Sequence, residues 1–273
     1  MISVSVVIPA YKSARFIKET VESVLNQTDV DFELIIGVQG PDDGTWSILE
    51  DFKDDARVKM FESPVGAAKE NWNFVSEKAS GEFIKLLPAD DVLVPGMLAR
   101  QVRLLENHPE AVLTASKREI INEDNKVLKK SWGLTGLRKN MAGEAVIKRV
   151  VGTGINILGE PGGVLMRRSA FEKAGGWNFD HPYVVDLESY LRVLRFGDFV
   201  KDEHVAVKFR VSSTQWTAAL QNVQSAHFIG MNESMAELMP DTITKSTLVR
   251  GKLVTKAMQE IRKFVYVFIK RNK

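Results

Sequence analysis

Short runs of consecutive apolar residues alternate with stretches whose apolar positions recur every three or four residues through the first hundred positions. Ser3 to Pro9 has the unbroken apolar character of a strand buried on both faces. Ala14 to Asn26 then carries Phe16, Ile17, Val21, Val24 and Leu25 at helical spacing. The alternation continues with a strand over Phe32 to Val38, a short helix over Trp46 to Phe52 and a strand over Val58 to Glu62. A helix over Ala67 to Ala79, ended by Gly81, leads to a strand over Phe83 to Leu87. Pro95 then marks the first turn of a helix reaching about Asn107. Such an order predicts an α/β fold, a Rossmann-like and mostly parallel sheet with helices on both faces.

Beyond residue 110 the rhythm loosens. A strand over Ala111 to Ser116 and a polar turn at Asn122 to Asn125 precede a region expected to be loop-rich as far as Gly163, with glycines at 133, 136, 143, 152, 154, 159 and 162. A short strand over Val164 to Met166, a helix over Ser169 to Ala174 and a helix over Leu187 to Phe196 follow. From about Gln221 the pattern is helical to the end. Residues 1–220 are therefore read as one domain, with a first part to about 110 and a second over 111–220, and residues 221–273 as a helical appendage.

Composition narrows the chemistry. The 273 residues contain no cysteine and four histidines, which removes thiol nucleophiles and leaves little for a protein-built zinc site. A metal, if used, is then a hard cation held by carboxylates and phosphate. Charge is unevenly divided: of 37 Lys plus Arg and 35 Asp plus Glu, residues 245–273 hold nine basic and one acidic, leaving 28 basic against 34 acidic before them. The start lacks a signal-peptide pattern and no apolar run nears about 18 residues, so a cytoplasmic protein is expected.

In an open parallel sheet, ligands bind beyond the carboxyl ends of the strands. Those positions hold Pro9-Ala10-Tyr11-Lys12, Gln39-Gly40-Pro41-Asp42-Asp43-Gly44 and Pro88-Ala89-Asp90-Asp91. Neither the dinucleotide glycine fingerprint nor a phosphate-cradling P-loop is present. Paired acids at a strand end suit a different device, one taking ribose hydroxyls and the other a Mg²⁺ or Mn²⁺ that bridges a diphosphate.

Taken as an ordered series, Val4-Ser5-Val6-Val7-Ile8-Pro9-Ala10-Tyr11, Ser23-Val24-Leu25-Asn26-Gln27-Thr28, Phe32-Glu33-Leu34-Ile35-Ile36 and Gly81 to Leu87 leading to Asp90-Asp91 resemble a family 2 glycosyltransferase of the GT-A fold. The resemblance covers roughly residues 1–215. It implies inverting transfer of a sugar, hexosyltransferase-like, from a nucleotide-diphosphate donor to a glycan or lipid-linked acceptor in surface polysaccharide assembly, with Mn²⁺ or Mg²⁺ as cofactor and no nucleic-acid partner. Position by position it puts Pro9, Tyr11, Gln39, Lys69 and Asp90 on the nucleotide and Asp91 on the metal, the pair standing for the family's DxD motif. Asp186, in Val185-Asp186-Leu187-Glu188, takes the place of the general base. Gly162, Gly163 and Trp177 fall on the acceptor side, and Arg210 beside the leaving diphosphate.

Departures from the family pattern qualify this. Gln39 stands where the family has a carboxylate that contacts the base, Val185 replaces an acid, and Arg210 to Trp216 lacks the histidine of many relatives. Each assignment also has a structural alternative: Tyr11 and Trp177 as packing aromatics, Asp42 and Asp43 as turn formers, Asp91 and Asp186 as helix caps, Lys69 as a solvated lysine. A sugar nucleotidyltransferase and a non-catalytic binding module for nucleotide-sugar or glycan are the competing functional classes. The appendage combines Leu253, Ala257, Ile261, Val265 and Phe268 in one stripe with many lysines, a composition suited either to docking on the core or to lying on an anionic membrane surface through residues 245–273, peripherally on the inner face.

Overall fold

The structure, a computed structural model, describes residues 2–64, 66–212 and 223–271, with side chains as far as residue 260. Its first half runs β1 (Val4–Tyr11), α1 (Ile17–Leu25), β2 (Phe32–Gln39), α2 (Thr45–Leu49), β3 (Val58–Glu62), α3 (Ala68–Glu77), β4 (Phe83–Leu86), β5 (Val92–Leu93) and α4 (Met97–Glu106). The second half runs β6 (Ala111–Ile121), β7 (Val127–Trp132), β8 (Asn140–Met141), α5 (Gly143–Thr153), β9 (Val164–Arg167), α6 (Arg168–Lys173), α7 (Val185–Val193) and β10 (Asp198–Arg210). Two helices follow, α8 (Gln224–Leu238) and α9 (Lys245–Arg271).

One mixed sheet joins both halves in the order β3-β2-β1-β4-β9-β6-β10-β5, with β7 beside β6 and β8 beside β10. Pairings β3-β2-β1-β4 are parallel, as βαβ connections require. Antiparallel β9 is inserted between β4 and β6, and β5 pairs antiparallel with β10. Alternate residues of the central strands feed two cores. Val6, Ile8, Leu34 and Ile36 face Val21, Leu98 and Val102, while Val7 and Ile35 face Val75, Ile147 and Leu191. This two-sided burial explains why the strands read as continuous apolar runs instead of alternating ones.

Glu33 shows how a charged residue survives inside β2. Its carboxylate accepts from Ser5 Oγ (2.6 Å), Lys59 Nζ (2.7 Å) and the Ser80 backbone N–H (2.7 Å), fastening three strands and the turn before β4. These donors outweigh the burial penalty and bring its pKa down to about 2.

The region expected to be loops contains β7, β8 and α5. In α5, buried Val146, Ile147, Val150 and Val151 form a helical stripe that flanking glycines disguise. Strand β10 also escapes the sequence pattern, because Asp202 and Glu203 interrupt its apolar positions; they are matched by Arg100 and by Lys117 and Lys201.

The appendage docks on α5. A Cβ on Gly251 would collide with the Val151 carbonyl oxygen, and Thr255 Oγ1 donates to the Gly154 carbonyl at 3.3 Å. Gly251 and Thr255 therefore form the docked face, whereas Leu253 of the expected apolar stripe is 63% exposed and Ala257 is exposed too. Side chains of Ile261, Val265 and Phe268 lie outside the described residues. Among the described residues no helix is long and apolar enough to cross a membrane.

Candidate active site

At the carboxyl end of β1, Tyr11 is 55% exposed and its ring lies against Gly40, where a Cβ would come within 2.7 Å of it. Gly40 holds φ at +89°, so a side chain there is doubly disfavoured. Pro9 is half-buried in the same strand end. Gln39 is buried, and its Nε2 donates to the carbonyls of Pro64 (2.8 Å) and Ala67 (3.2 Å), bracing the approach to α3. Asp43 accepts from Thr45 Oγ1 (2.6 Å) and the Ala14 N–H (3.1 Å), and Asp42 from the Gly44 N–H (2.9 Å), so both acids serve the turn.

On α3, Lys69 and Asn73 line a cleft of about 640 Å³ together with Glu70, Trp177, Asn178 and Arg192. Asn71 turns inward, donating to the carbonyls of Gly37 (3.0 Å) and Ala10 (3.3 Å), and so clamps the ends of β1 and β2.

The paired acids after β4 differ sharply. Asp90 is half-buried, whereas Asp91 has no exposed surface and its Oδ1 accepts from the Arg210 backbone N–H at 2.9 Å. Its Oδ2 is buried without a hydrogen-bond partner among the described residues. Burial, then the negative charge of Asp90, push the Asp91 pKa well above the carboxylate range, with Glu160 adding to the rise. Arg210 is wholly buried: Nε donates to the Asp90 carbonyl (2.8 Å), Nη1 to Asn125 Oδ1 (2.7 Å) and Nη2 to Glu19 Oε2 (2.7 Å), and the guanidinium lies 4.4 Å from the Phe16 ring centroid. It thus positions the loop that carries Asp90 and Asp91.

Asp186 lies inside the first turn of α7, which begins at Val185, and is not the residue preceding the helix. Burial pushes its pKa up to about 7; the neighbouring Glu160 charge adds to the rise, while the Leu187 N–H and Arg118 oppose it. Glu188 is fully buried and spent on Arg192 (3.0 Å), His181 (2.8 Å) and Asn178 (3.1 Å).

Sequence reasoning missed Glu160 and Arg118, which form an ion pair beside the site. Arg118 occupies a slot between Gly133 and Gly159: a Cβ on either glycine would reach within 2.8 Å of its Nη1. Burial raises the Glu160 pKa against the pull of Arg118. The Glu160 charge acts on Asp91, Asp186 and Tyr190 alike, which puts it amid the candidate groups. Tyr190 Oη is buried there without a hydrogen-bond partner among the described residues. The signal available in the sequence was Glu160 directly before Pro161-Gly162-Gly163.

That glycine pair is a packed joint. Gly162 and Gly163 are buried, and their carbonyls accept from Lys85 Nζ (2.9 Å) and Gln101 Nε2 (2.9 Å). A Cβ on Gly162 would lie 2.7 Å from Val207. Trp177 takes the packing alternative: it is 2% exposed, donates from Nε1 to Ser76 Oγ (2.8 Å) and meets Trp72 edge-on at 5.2 Å.

Comparison with known proteins bears on the fold and the family. The fold is that of GT-A glycosyltransferases. It superimposes on Staphylococcus aureus TarS in complex with UDP-GlcNAc with a TM-score of 0.61 and 14% identity, over 83% of this chain and 66% of that one. It also matches the mannosyltransferase PcManGT of Pyrobaculum calidifontis in complex with GDP-Man and Mn²⁺, with a TM-score of 0.61 and 16% identity over 94% of this chain and 68% of that one. By sequence, an uncharacterized glycosyltransferase of Haemophilus influenzae is 27% identical over 255 residues, 88% of this chain and 73% of that protein. A hyaluronan synthase of Pasteurella multocida is 37% identical over 93 residues, 34% of this chain and 10% of that protein. Residues 5–175 match glycosyl transferase family 2, and the chain belongs to that family. It is an enzyme that transfers sugars.

Proposed function

We propose that the enzyme transfers a hexose from a nucleotide-diphosphate donor to an acceptor hydroxyl with inversion, using Asp186 as general base. The observation that carries this is the Asp186 carboxyl, held near pKa 7 at the start of α7 and in the charge field that it shares with Asp91. A base poised near the operating pH takes a proton efficiently without being permanently protonated. Asp186 takes the acceptor proton as that oxygen bonds to the anomeric carbon; the bond from that carbon to the diphosphate oxygen breaks, and the nucleoside diphosphate leaves. Tyr11 and Pro9 flank the nucleobase in this reading, Asp90 takes the ribose, and Lys69 offers its charge at the edge of the cleft.

The residues present fit a divalent cation. The orphaned Asp91 Oδ2 and the raised pKa of its carboxyl both signal a missing counter-charge at Asp90 and Asp91. Among the described residues no three acids or histidines gather as a metal site, so the donor diphosphate and water would supply the remaining ligands. Bound there, Mn²⁺ or Mg²⁺ would offset the charge developing on the leaving diphosphate.

Nucleoside diphosphate release from a panel of nucleotide sugars, with Mn²⁺ and with EDTA, tests this reading. Turnover of at least one donor that EDTA abolishes is expected, and full turnover in EDTA overturns the metal-assisted reading. A surface polysaccharide or its lipid-linked precursor is the acceptor class in this proposal. Support for a membrane location comes from α9, whose outward Val249 and Leu253 lie among Lys245, Arg250, Lys252 and Lys256. Leu253→Glu is expected to reduce co-sedimentation with anionic vesicles at low salt, and binding equal to that of the wild type would refute it.

A further inference from the structure

Strand β7 is built against the ordinary rule for an edge strand. A two-layer strand turns apolar residues inward and polar ones outward, yet all six residues from Val127 to Trp132 are exposed, with Leu128 at 57% and Trp132 at 42%. Its surroundings are as biased in charge as they are in polarity. Residues 126–141 contain Lys126, Lys129, Lys130, Arg138 and Lys139 and no acid, in a body where acids outnumber bases. Lys129 Nζ sits 3.7 Å from the Trp132 ring centroid, so a cation and an aromatic face are presented together.

Both ends of this strand are fastened to the candidate active site. At one end, Asn122 and Asn125 of the β6–β7 turn accept from Arg210 Nη1, the same guanidinium whose Nε holds the Asp90 carbonyl. At the other end Trp132 is paired in register with Arg118, the ion-pair partner of Glu160, and Leu134 just beyond it is buried in the core. The strand therefore runs between the Asp90 side of the candidate site and the Arg118–Glu160 ion pair.

We propose that β7 is an acceptor subsite for an acidic saccharide. The C–H face of a sugar ring packs on an indole ring, and carboxylate or phosphate groups on the chain meet Lys126, Lys129 and Lys130. The negative body of the enzyme repels such a chain elsewhere, so these cations also set the direction from which it enters. This rests on the sugar-transfer reading above.

The test uses the full chain and titration calorimetry with three oligosaccharides of similar length: a galacturonate heptamer, a phosphorylated mannan fragment and neutral maltoheptaose. At least one acidic chain is expected to bind tenfold or more tightly than the neutral one, and the two acidic probes distinguish carboxylate from phosphate. Trp132→Ala and Lys129→Glu should each weaken that binding about tenfold, with Trp132→Phe close to the wild type. Equal binding of acidic and neutral chains, or wild-type affinity in both weakened variants, overturns the proposal. So does a concentration-dependent dimer that Trp132→Ala abolishes, because β7 is then covered by a second copy. Donor binding, followed separately by thermal shift with nucleotide sugars and Mn²⁺, should be unchanged in these variants. A wild-type chain that binds no donor refutes the transfer reading, whereas one that binds donor but ignores acidic glycans refutes only the subsite.

Discussion

The carboxylates of the first three strands and those gathered around Asp186 are treated in opposite ways by the same fold. Glu33 has so many donors that its pKa falls to about 2, and Asp43, with Thr45 and Ala14 as donors, is lowered as well. Asp91, Glu160 and Asp186 are all raised, with burial as the leading cause in each. Hydrogen bonds to a charged acid make it a structural rivet; withholding them leaves an acid that gains from a proton, a cation or a substrate. The difference separates acids that hold the sheet together from acids left open to a proton, a cation or a ligand.

Neutralising an acid of each kind should therefore give different phenotypes. Asp186→Asn is expected to retain donor binding and to lose transfer by roughly two to four powers of ten, the usual worth of a general base. Equal losses in donor affinity and rate would assign Asp186 to donor binding instead. Next in size, Asp90→Asn should weaken Mn²⁺-dependent donor binding about 10- to 100-fold, as read by titration of the wild type and the variant. Unchanged donor affinity would remove Asp90 from the nucleotide site.

Glu33→Gln should leave kcat nearly intact while costing about 1–3 kcal/mol of stability in urea, since buried donors on Ser5, Lys59 and Ser80 lose a charged acceptor. A variant as stable as the wild type would break the comparison on its structural side. The smallest effect concerns pH. Because the Asp186 pKa is raised to about 7, the folded state binds more protons than the unfolded one between the ordinary Asp range and pH 7, and stability falls as pH rises through that window. Asp186→Asn should flatten this slope, so that its melting temperature gains on the wild type at pH 8 relative to pH 5. Glu33 has the reverse sign: its stabilisation is present above its unfolded pKa and is lost as pH falls toward about 2.

What the sequence disclosed follows the same division. Parallel strands buried on both faces give unbroken apolar runs, so β1, β2 and β4 and the helices between them were legible, and Asp90, Asp91 and Asp186 stand as candidates through the ordered motifs. The second half was harder, because β10 carries acids whose partners lie on α4 and β6. Glu160 and Arg118 are 42 positions apart in the chain, and only the register of β6 and the glycine slot around Arg118 bring them together. Arg210 illustrates the limit from the other side. The resemblance set it beside the leaving diphosphate, whereas its complete burial under Glu19, Asn125 and Asp90 has it hold the loop of Asp90 and Asp91.

The insertion of β9 between β4 and β6, with Lys85 of β4 fixed to the carbonyls of Gly162 and Val164, bears on how such enzymes diversify. A buried lysine whose amine donates to two backbone carbonyls of the other half makes the two halves poor candidates for independent exchange. Chimaeras joined near residue 110 inherit a buried amine without its acceptors unless the incoming loop offers the same two carbonyls. New acceptor preferences are therefore more accessible through change in the exposed β7 arm, whose six surface residues can vary without disturbing that joint, than through shuffling of whole halves.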